Sequence, residues 1–408
     1  MRGCLMNISE AQFKQELEEL ERSFNNLAPE LEITVRDPLL GVEGFVVVWN
    51  TPRDDTGDLA PFGKGGTRIT PATSLNEIKM LARIMALKNA AAGLPIGGAK
   101  SGLCDDPNSE GFERRLRRYA QLVSPLLVER GGIWGGFGFD IGVKPQHAEW
   151  VCDELKSFDC FTGKSIEQGG TDYDREGIAG FGVSEAAACA LESEGTSVQG
   201  ATFAVQGAGA MGAAIVRFFG DAGGVLKAIA DPSLGGCWTF PKGASEEFRT
   251  AIAEHHLDRA KNLAQEEGTS TALEAVLGQE VDVLFPAAVQ DVITMDTVAT
   301  VKARIVVEGA NSPCKPPTRT VLHDRGVLVL PDFIVNSGGI IAAFVEMTSN
   351  VSNEENKKSK KKVLEAKATT RAKVRDNVTQ VLNLTDSFRL EPSVAARYLA
   401  LTRIFASI

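Results

Sequence analysis

Three lysines in the first quarter of the chain stand in settings where a lysine can do chemistry: Lys64 in "PFGKGGTRI", Lys88 in "LARIMALKNAAA" and Lys100 in "LPIGGAKSG". Glycines beside a lysine let a ligand come close to the backbone, and three cations drawn from one region can surround a small polyanion. A lysine that is desolvated or crowded by other cations has a lowered pKa, and its amine can then move a proton or polarise a carbonyl. Asp140 in "GGFGFDIGV" is a candidate proton shuttle, with a turn-forming aspartate as the equally weighted plain reading. Singly, each lysine is explained by a surface turn or a snorkelling side chain; jointly, that explanation weakens.

The elements that must carry these groups can be read locally. Ser74-x-x-Glu77 is a capping-box pattern that opens a helix across "LNEIKMLARIMALKNAAA". Leu81, Ile84 and Met85 form its apolar stripe, and Lys88, four residues after Ile84, is expected to project from that buried face. Lys79 and Arg83 fall on the opposite face as ordinary surface charges.

Further along, "VQGAGAMGAAIVRFF" places Gly207, Gly209 and Gly212 in G-x-G-x-x-G spacing between a strand pattern and a helix pattern. Among 41 glycines the spacing alone is weak, but its context is that of a dinucleotide turn. Gly207 permits the turn, Gly209 lets backbone N–H groups reach a pyrophosphate, and Gly212 lets the helix pack close on the strand. The next strand, "VLKAIAD", ends in Asp231, nineteen residues after Gly212, where a carboxylate suits a ribose 2′-hydroxyl and favours NAD over NADP.

Around these sites, short apolar runs alternate with helical stretches from residue 201 to about 335, the mark of a parallel sheet built from βαβ units. A length of 408 residues suggests two domains. With 43% hydrophobic and 24% charged residues the composition is that of a soluble globular protein, and a net charge of -10 disfavours nucleic acid as a partner. The seven cysteines are scattered without C-x-x-C spacing, which predicts reduced, cytoplasmic thiols and no metal site. No signal peptide or membrane span is read at the N-terminus, no tandem repeat is found, and the lysine-rich run at 353–367 reads as a solvated helix face.

The motifs "KGGTRITP", "LKNAAAGLPIGGAKSG", "FDIGV", "TGKSIEQGGTDYDREG", "VQGAGAMG", "FPAAVQ", "VVEGAN" and "LPDFIVNSGGI" together resemble, in order and spacing, the glutamate/leucine/phenylalanine/valine dehydrogenases. The resemblance implies oxidative deamination of an L-amino acid to a 2-oxoacid and ammonium, or the reverse, with a nicotinamide cofactor. It implies that Lys100 activates the attacking water, that Asp140 shuttles the proton of the amino nitrogen, and that Lys88 pairs with the α-carboxylate. Gly65 and Gly66 would line the pocket, and Lys64 would bind a side-chain carboxylate. Gly207, Gly209, Ala210, Met211, Gly212, Asp231, Ala288, Asn311 and Asn336 would contact NAD, with NADP the second choice.

Two positions depart from the glutamate-type pattern: Ala343 stands where a serine would give a second carboxylate contact, and Ala179 where a threonine would touch the nicotinamide amide. The expected architecture is α/β in two domains. Residues 1–180, joined by helices from 346–408, would bind substrate, 181–345 would be a doubly wound Rossmann-type domain, and substrate would lie in the cleft between them. L-glutamate is the expected substrate, and a homo-oligomer the expected state. The alternatives are a leucine-, valine- or phenylalanine-type enzyme in which Lys64 swings to solvent, and a catalytically silent nucleotide-binding homologue.

Overall fold

A computed structural model describes residues 9–52, 60–349 and 360–406. Two compact units emerge: residues 1–172, 343–362 and 397–408 in the first, residues 173–342 and 363–396 in the second. Cys4 and the first part of the lysine-rich run, 353–359, lie outside the described residues.

The first unit opens with α1 (Glu10–Asn26), capped reciprocally by Ser9 and Gln12. Strands β1 (Leu31–Asp37), β2 (Val42–Val48), β3 (Gly63–Lys64) and β4 (Thr67–Thr70), helix α2 (Leu75–Ala91), and strand β5 (Gly97–Cys104) follow. Then come α3 (Phe112–Val123), β6 (Phe137–Gly138), α4 (Pro145–Leu155) and β7 (Phe161–Thr162). The sheet order is β1-β2-β5-β3, with β4 also on β5; β1, β2 and β5 are antiparallel neighbours, while β3 and β4 run parallel to β5. In effect β3 and β4 are one strand broken at Gly65-Gly66, opposite Ala99 and Lys100.

Strand β5, "GGAKSGLC", is buried despite its glycines because α2 lies almost in contact with it. A Cβ on Gly98 would fall on the Ala86 backbone and stand 2.5 Å from the Ala82 carbonyl oxygen. The face of α2 turned to the sheet is therefore Ile78, Ala82, Ala86 and Ala90. This corrects the sequence reading: Leu81, Met85 and Lys88 are half-buried on the flank and Ile84 is 48% exposed, so Lys88 does not project from the core stripe. A helix that must approach a glycine strand closely turns its small residues inward and leaves the large ones at the edge.

The second unit holds α5 (Ile178–Ser193), β8 (Thr202–Gln206), α6 (Ala210–Asp221), β9 (Val225–Asp231) and β10 (Gly236–Thr239). After these run α7 (Glu246–Ala253), α8 (Leu257–Glu267), β11 (Thr269–Thr271), β12 (Val283–Pro286), β13 (Ile305–Val307), α9 (Pro316–Asp324), β14 (Leu328–Leu330) and α10 (Asp332–Val335). The strand order is β11-β10-β9-β8-β12-β13-β14, parallel from β9 to β14, with β10 and β11 folded back antiparallel at one edge. Strands leave β8 to both sides, so its carboxyl end, at Gly207, is the switch point where ligands bind in such sheets.

The division between the units falls within α11 (Gly338–Thr348), followed by α12 (Lys361–Phe388) and α13 (Pro392–Ala406). Contrary to the sequence expectation, most of α12 belongs with the second unit: Arg371 and Arg375 bond Glu185 of α5, and Thr370 packs on Gly182. Lys362 is also not on a solvated face; it is buried and donates to the carbonyl of Gly169 at 3.2 Å. No described helix is long and apolar enough to cross a membrane.

Candidate active site

Lys100 sits in β5 opposite Val47, at the break between β3 and β4. It is 6% exposed, and its ammonium forms an ion pair with Asp140. Asp140 also accepts from Arg68 Nη2 at 3.3 Å, and Arg68 Nη1 donates to Glu77 at 2.7 Å. The result is an alternating row, Lys100, Asp140, Arg68 and Glu77, that is neutral as a whole. Burial pushes the Lys100 amine below its usual pKa against the pull of Asp140. Burial also works against the Asp140 carboxylate, but Lys100 and Arg68 outweigh it and hold that pKa below the ordinary range. A desolvated amine bonded to a stable carboxylate is an arrangement that can take up and release a proton.

The glycines around Lys100 and Lys64 do something other than the sequence suggested. A Cβ on Gly65 would fall on the Ala99 carbonyl, one on Gly66 would lie 2.6 Å from the Phe139 oxygen, and one on Gly97 would meet the Asn50 carbonyl. The room that each glycine leaves is taken by the protein's own backbone, which draws β3, β4, β5 and the Phe139-Asp140 segment close together.

Lys64 is buried at the end of β3, with its ammonium donating to the carbonyls of Gly136 at 3.0 Å and Phe137 at 2.6 Å. No carboxylate makes an ion pair with it among the described residues. Burial pulls its pKa down to about 7, partly opposed by Glu346 and assisted by Lys164 and Lys100. Its acceptors belong to β6 and the turn before it. With two residues per strand, β6–β7 stands only because Phe137 and Phe161 are buried against Trp134 and Phe139.

Sequence reasoning missed four residues here. Arg68 and Glu77 orient Asp140, and a second buried pair, Lys164 and Glu346 at 2.6 Å, lies near Lys64. The signal for the latter was a lone acid in the apolar run "GGIIAAFVEM", since a charge on such a helix needs a buried partner. Ala343 is buried three residues before Glu346 on α11, hence on the same helix face.

In the second unit, Gly207 has φ +107° and its absent Cβ would lie 2.7 Å from that of Ala288. A Cβ on Gly212 would fall on the Gly207 carbonyl, whereas among the described residues nothing stands within 4 Å of the Gly209 position. Ala210 and Met211 open α6, so their N–H groups precede its hydrogen-bonded turns. Asp231 accepts from the Ala208 N–H at 2.7 Å and from the N–H and hydroxyl of Ser233 at 2.8 and 2.6 Å, which ties the glycine turn to β9. Asn336 donates to the side-chain amide oxygen of Asn311 at 3.0 Å and to the backbone carbonyl of Gly309 at 3.2 Å. Its own side-chain oxygen is buried without a hydrogen-bond partner among the described residues. A buried ion pair underlies this region: Arg319 holds both oxygens of Glu308, which accepts from the Asp332 N–H, and Asp332 in turn accepts from the Ser312 N–H. The open Gly209 position and the orphaned Asn336 oxygen fit a dinucleotide with an amide donor.

Residues 169–407 match the family described as Glutamate/Leucine/Phenylalanine/Valine dehydrogenase, and residues 29–157 match its dimerisation domain. The chain belongs to this family. It is 35% identical over 334 residues to an NADP(+)-dependent glutamate dehydrogenase of Pyrobaculum calidifontis, covering 79% of this chain and 78% of that one. A catabolic NAD-specific glutamate dehydrogenase of Bacillus subtilis is 31% identical over 334 residues, with coverage of 79% and 76%. The fold of the hetero-hexameric glutamate dehydrogenase of Thermus thermophilus, solved in its Leu bound form, superposes with a TM-score of 0.72 at 26% identity, covering 98% and 97% of the two chains.

Proposed function

We propose that the protein catalyses the reversible, NAD-dependent oxidative deamination of an L-amino acid, L-glutamate first, to the 2-oxoacid and ammonium, with NADP as the second cofactor choice. Support for the chemistry comes from family membership together with the buried Lys100–Asp140 pair. The observation that carries the choice of glutamate is Lys64, a buried cation whose described polar contacts are two carbonyls, so that a substrate carboxylate can supply the missing charge.

NAD supplies the hydride acceptor for the α-carbon; Gly207, Gly209, Ala210, Met211, Gly212, Asp231, Ala288, Asn311 and Asn336 are the residues read as holding it. Asp140 passes a proton to and from the amino nitrogen. Lys100, in its amine form, takes a proton from the water that attacks the resulting imine carbon, and as an ammonium it stabilises the oxyanion formed there. Burial lowers the Lys100 pKa, which favours the amine form that takes the proton. Lys88 is read as the α-carboxylate ligand, and Gly65 and Gly66 as lining the pocket. Ala343 offers no hydroxyl to a substrate carboxylate, which leaves Lys64 as the principal anchor.

The leucine-type alternative, with Lys64 swung to solvent, is less well supported, because Lys64 is 5% exposed here. A homo-oligomer is supported by the dimerisation-domain match, and a reduced, cytoplasmic setting is read from the scattered spacing of the cysteines in the sequence. Steady-state NADH formation with glutamate, aspartate, leucine, valine and phenylalanine tests the reading; no reduction with any of them would sink it.

A further inference from the structure

The Lys164–Glu346 pair has no part in the reaction as set out above, yet each side chain is 3% exposed. A buried ion pair is a weak device for stability, so its connections are the better guide to its role. Glu346 accepts from Lys164 through one oxygen at 2.6 Å. Its other oxygen takes the Gly163 N–H at 3.0 Å and the N–H and hydroxyl of Thr171, each at 3.1 Å. It therefore clamps both ends of the segment that follows β7. Lys164 also donates to the Phe161 carbonyl, and Phe161 pairs with Phe137 across β6–β7. The carbonyls of Phe137 and Gly136 are the two that hold Lys64.

One line of contacts thus runs from Glu346 through Lys164, Phe161 and Phe137 to the Lys64 ammonium, all within the first unit. We infer that Lys164 and Glu346 are positioning residues for Lys64: they fix the carbonyls that aim its ammonium at an acidic substrate side chain. The inference rests on the glutamate reading for its consequence in catalysis, but not for the effect on Lys64 itself. The other ionisable groups that act on Lys64 are the Cys160 thiol and Lys100, the latter already paired with Asp140; Lys362 donates to the carbonyls of Gly169 at 3.2 Å and Glu346 at 3.5 Å.

The sign of the two charges gives the test. Glu346 favours the Lys64 ammonium and Lys164 opposes it. In full-length protein carrying ¹³C-labelled lysine, with the Lys64 signal assigned by its loss in Lys64→Arg, the Lys64 titration midpoint should fall by about one pH unit in Glu346→Gln and rise by about one in Lys164→Met. In parallel, the glutamate KM at pH 7 should rise about fivefold in Glu346→Gln, as the ammonium fraction falls, while kcat changes no more than about twofold. A merely structural pair would shift both variants in one direction and lower kcat with them. If one variant fails to fold, the sign of the other decides.

Midpoints that stay put, or move together, overturn the inference even if glutamate is turned over. Midpoints that separate while glutamate is not a substrate uphold the positioning role and overturn the glutamate reading alone.

Discussion

The two units use glycine in opposite ways. Around Lys100 and Lys64, Gly65, Gly66, Gly97 and Gly98 are filled by neighbouring backbone, and the space thereby removed packs charged side chains into a rigid row. At the turn after β8, Gly207 and Gly212 are likewise closed on the chain itself, but Gly209 opens on nothing within 4 Å among the described residues. Groups that move protons must be held in fixed geometry and away from water, so close packing serves them. A turn that receives phosphates must keep its N–H groups unobstructed, so one glycine is left with room. The same residue type gives preorganisation in one place and access in the other.

The largest expected effect comes from removing the chemistry without touching the cofactor turn. Lys100→Ala should lower kcat for NADH formation by about 10³-fold or more, while the Kd for NAD measured by calorimetry stays within about twofold. Asp140→Asn should follow with a loss of about 10²-fold or more.

The glycine contrast can be tested by size alone. Gly65→Ala and Gly212→Ala both place a methyl on a carbonyl oxygen, and each should cost about 2 kcal/mol or more, seen as a drop of several degrees in Tm. Gly209→Ala should leave Tm unchanged and weaken NAD by about tenfold, since the added methyl stands where the cofactor phosphates are read to bind. If Gly209→Ala lowers Tm as much as Gly65→Ala, the contrast between the two regions is wrong.

A smaller, pH-dependent effect follows from Lys64. Its pKa in the folded chain, about 7, lies below its ordinary value of 10.5. Between these pH values the unfolded chain binds more protons, so this group's contribution makes stability rise with pH across the window, and below pH 7 its penalty is complete. Lys64→Met should therefore stabilise the ligand-free protein most at pH 6 to 7, with the gain shrinking toward pH 10, as read by denaturant unfolding. Glutamate binding has the opposite trend, because only the ammonium attracts the substrate carboxylate, so its KM should rise above pH 7.

Much of this was legible in the sequence. The strands around the glycine turn, the Ser74 cap and the membership of Lys100 and Asp140 in one site follow from local pattern and motif order. What was hidden depended on tertiary closeness. The packing face of α2 was misread because Leu81, Ile84 and Met85 look like a core stripe, when the real constraint was the glycine strand beneath Ala82 and Ala86. Glu77 could be recognised as part of a cap, but its bond to Arg68 joins residues on separate elements and leaves no local trace. Lys164 and Glu346 are 182 residues apart, and nothing in either neighbourhood names the other. Likewise, the glycines beside the lysines signalled close approach correctly but not what approaches.

The decisive experiment is an NADH-formation assay with L-glutamate and L-leucine on the wild type, Lys100→Ala and Lys64→Met. We expect glutamate turnover by the wild type, none above background in Lys100→Ala, and in Lys64→Met a glutamate KM raised about 10²-fold with leucine turnover unchanged or improved. Leucine preferred by the wild type, with Lys64→Met indistinguishable from it, would contradict the assignment of Lys64 as the carboxylate anchor.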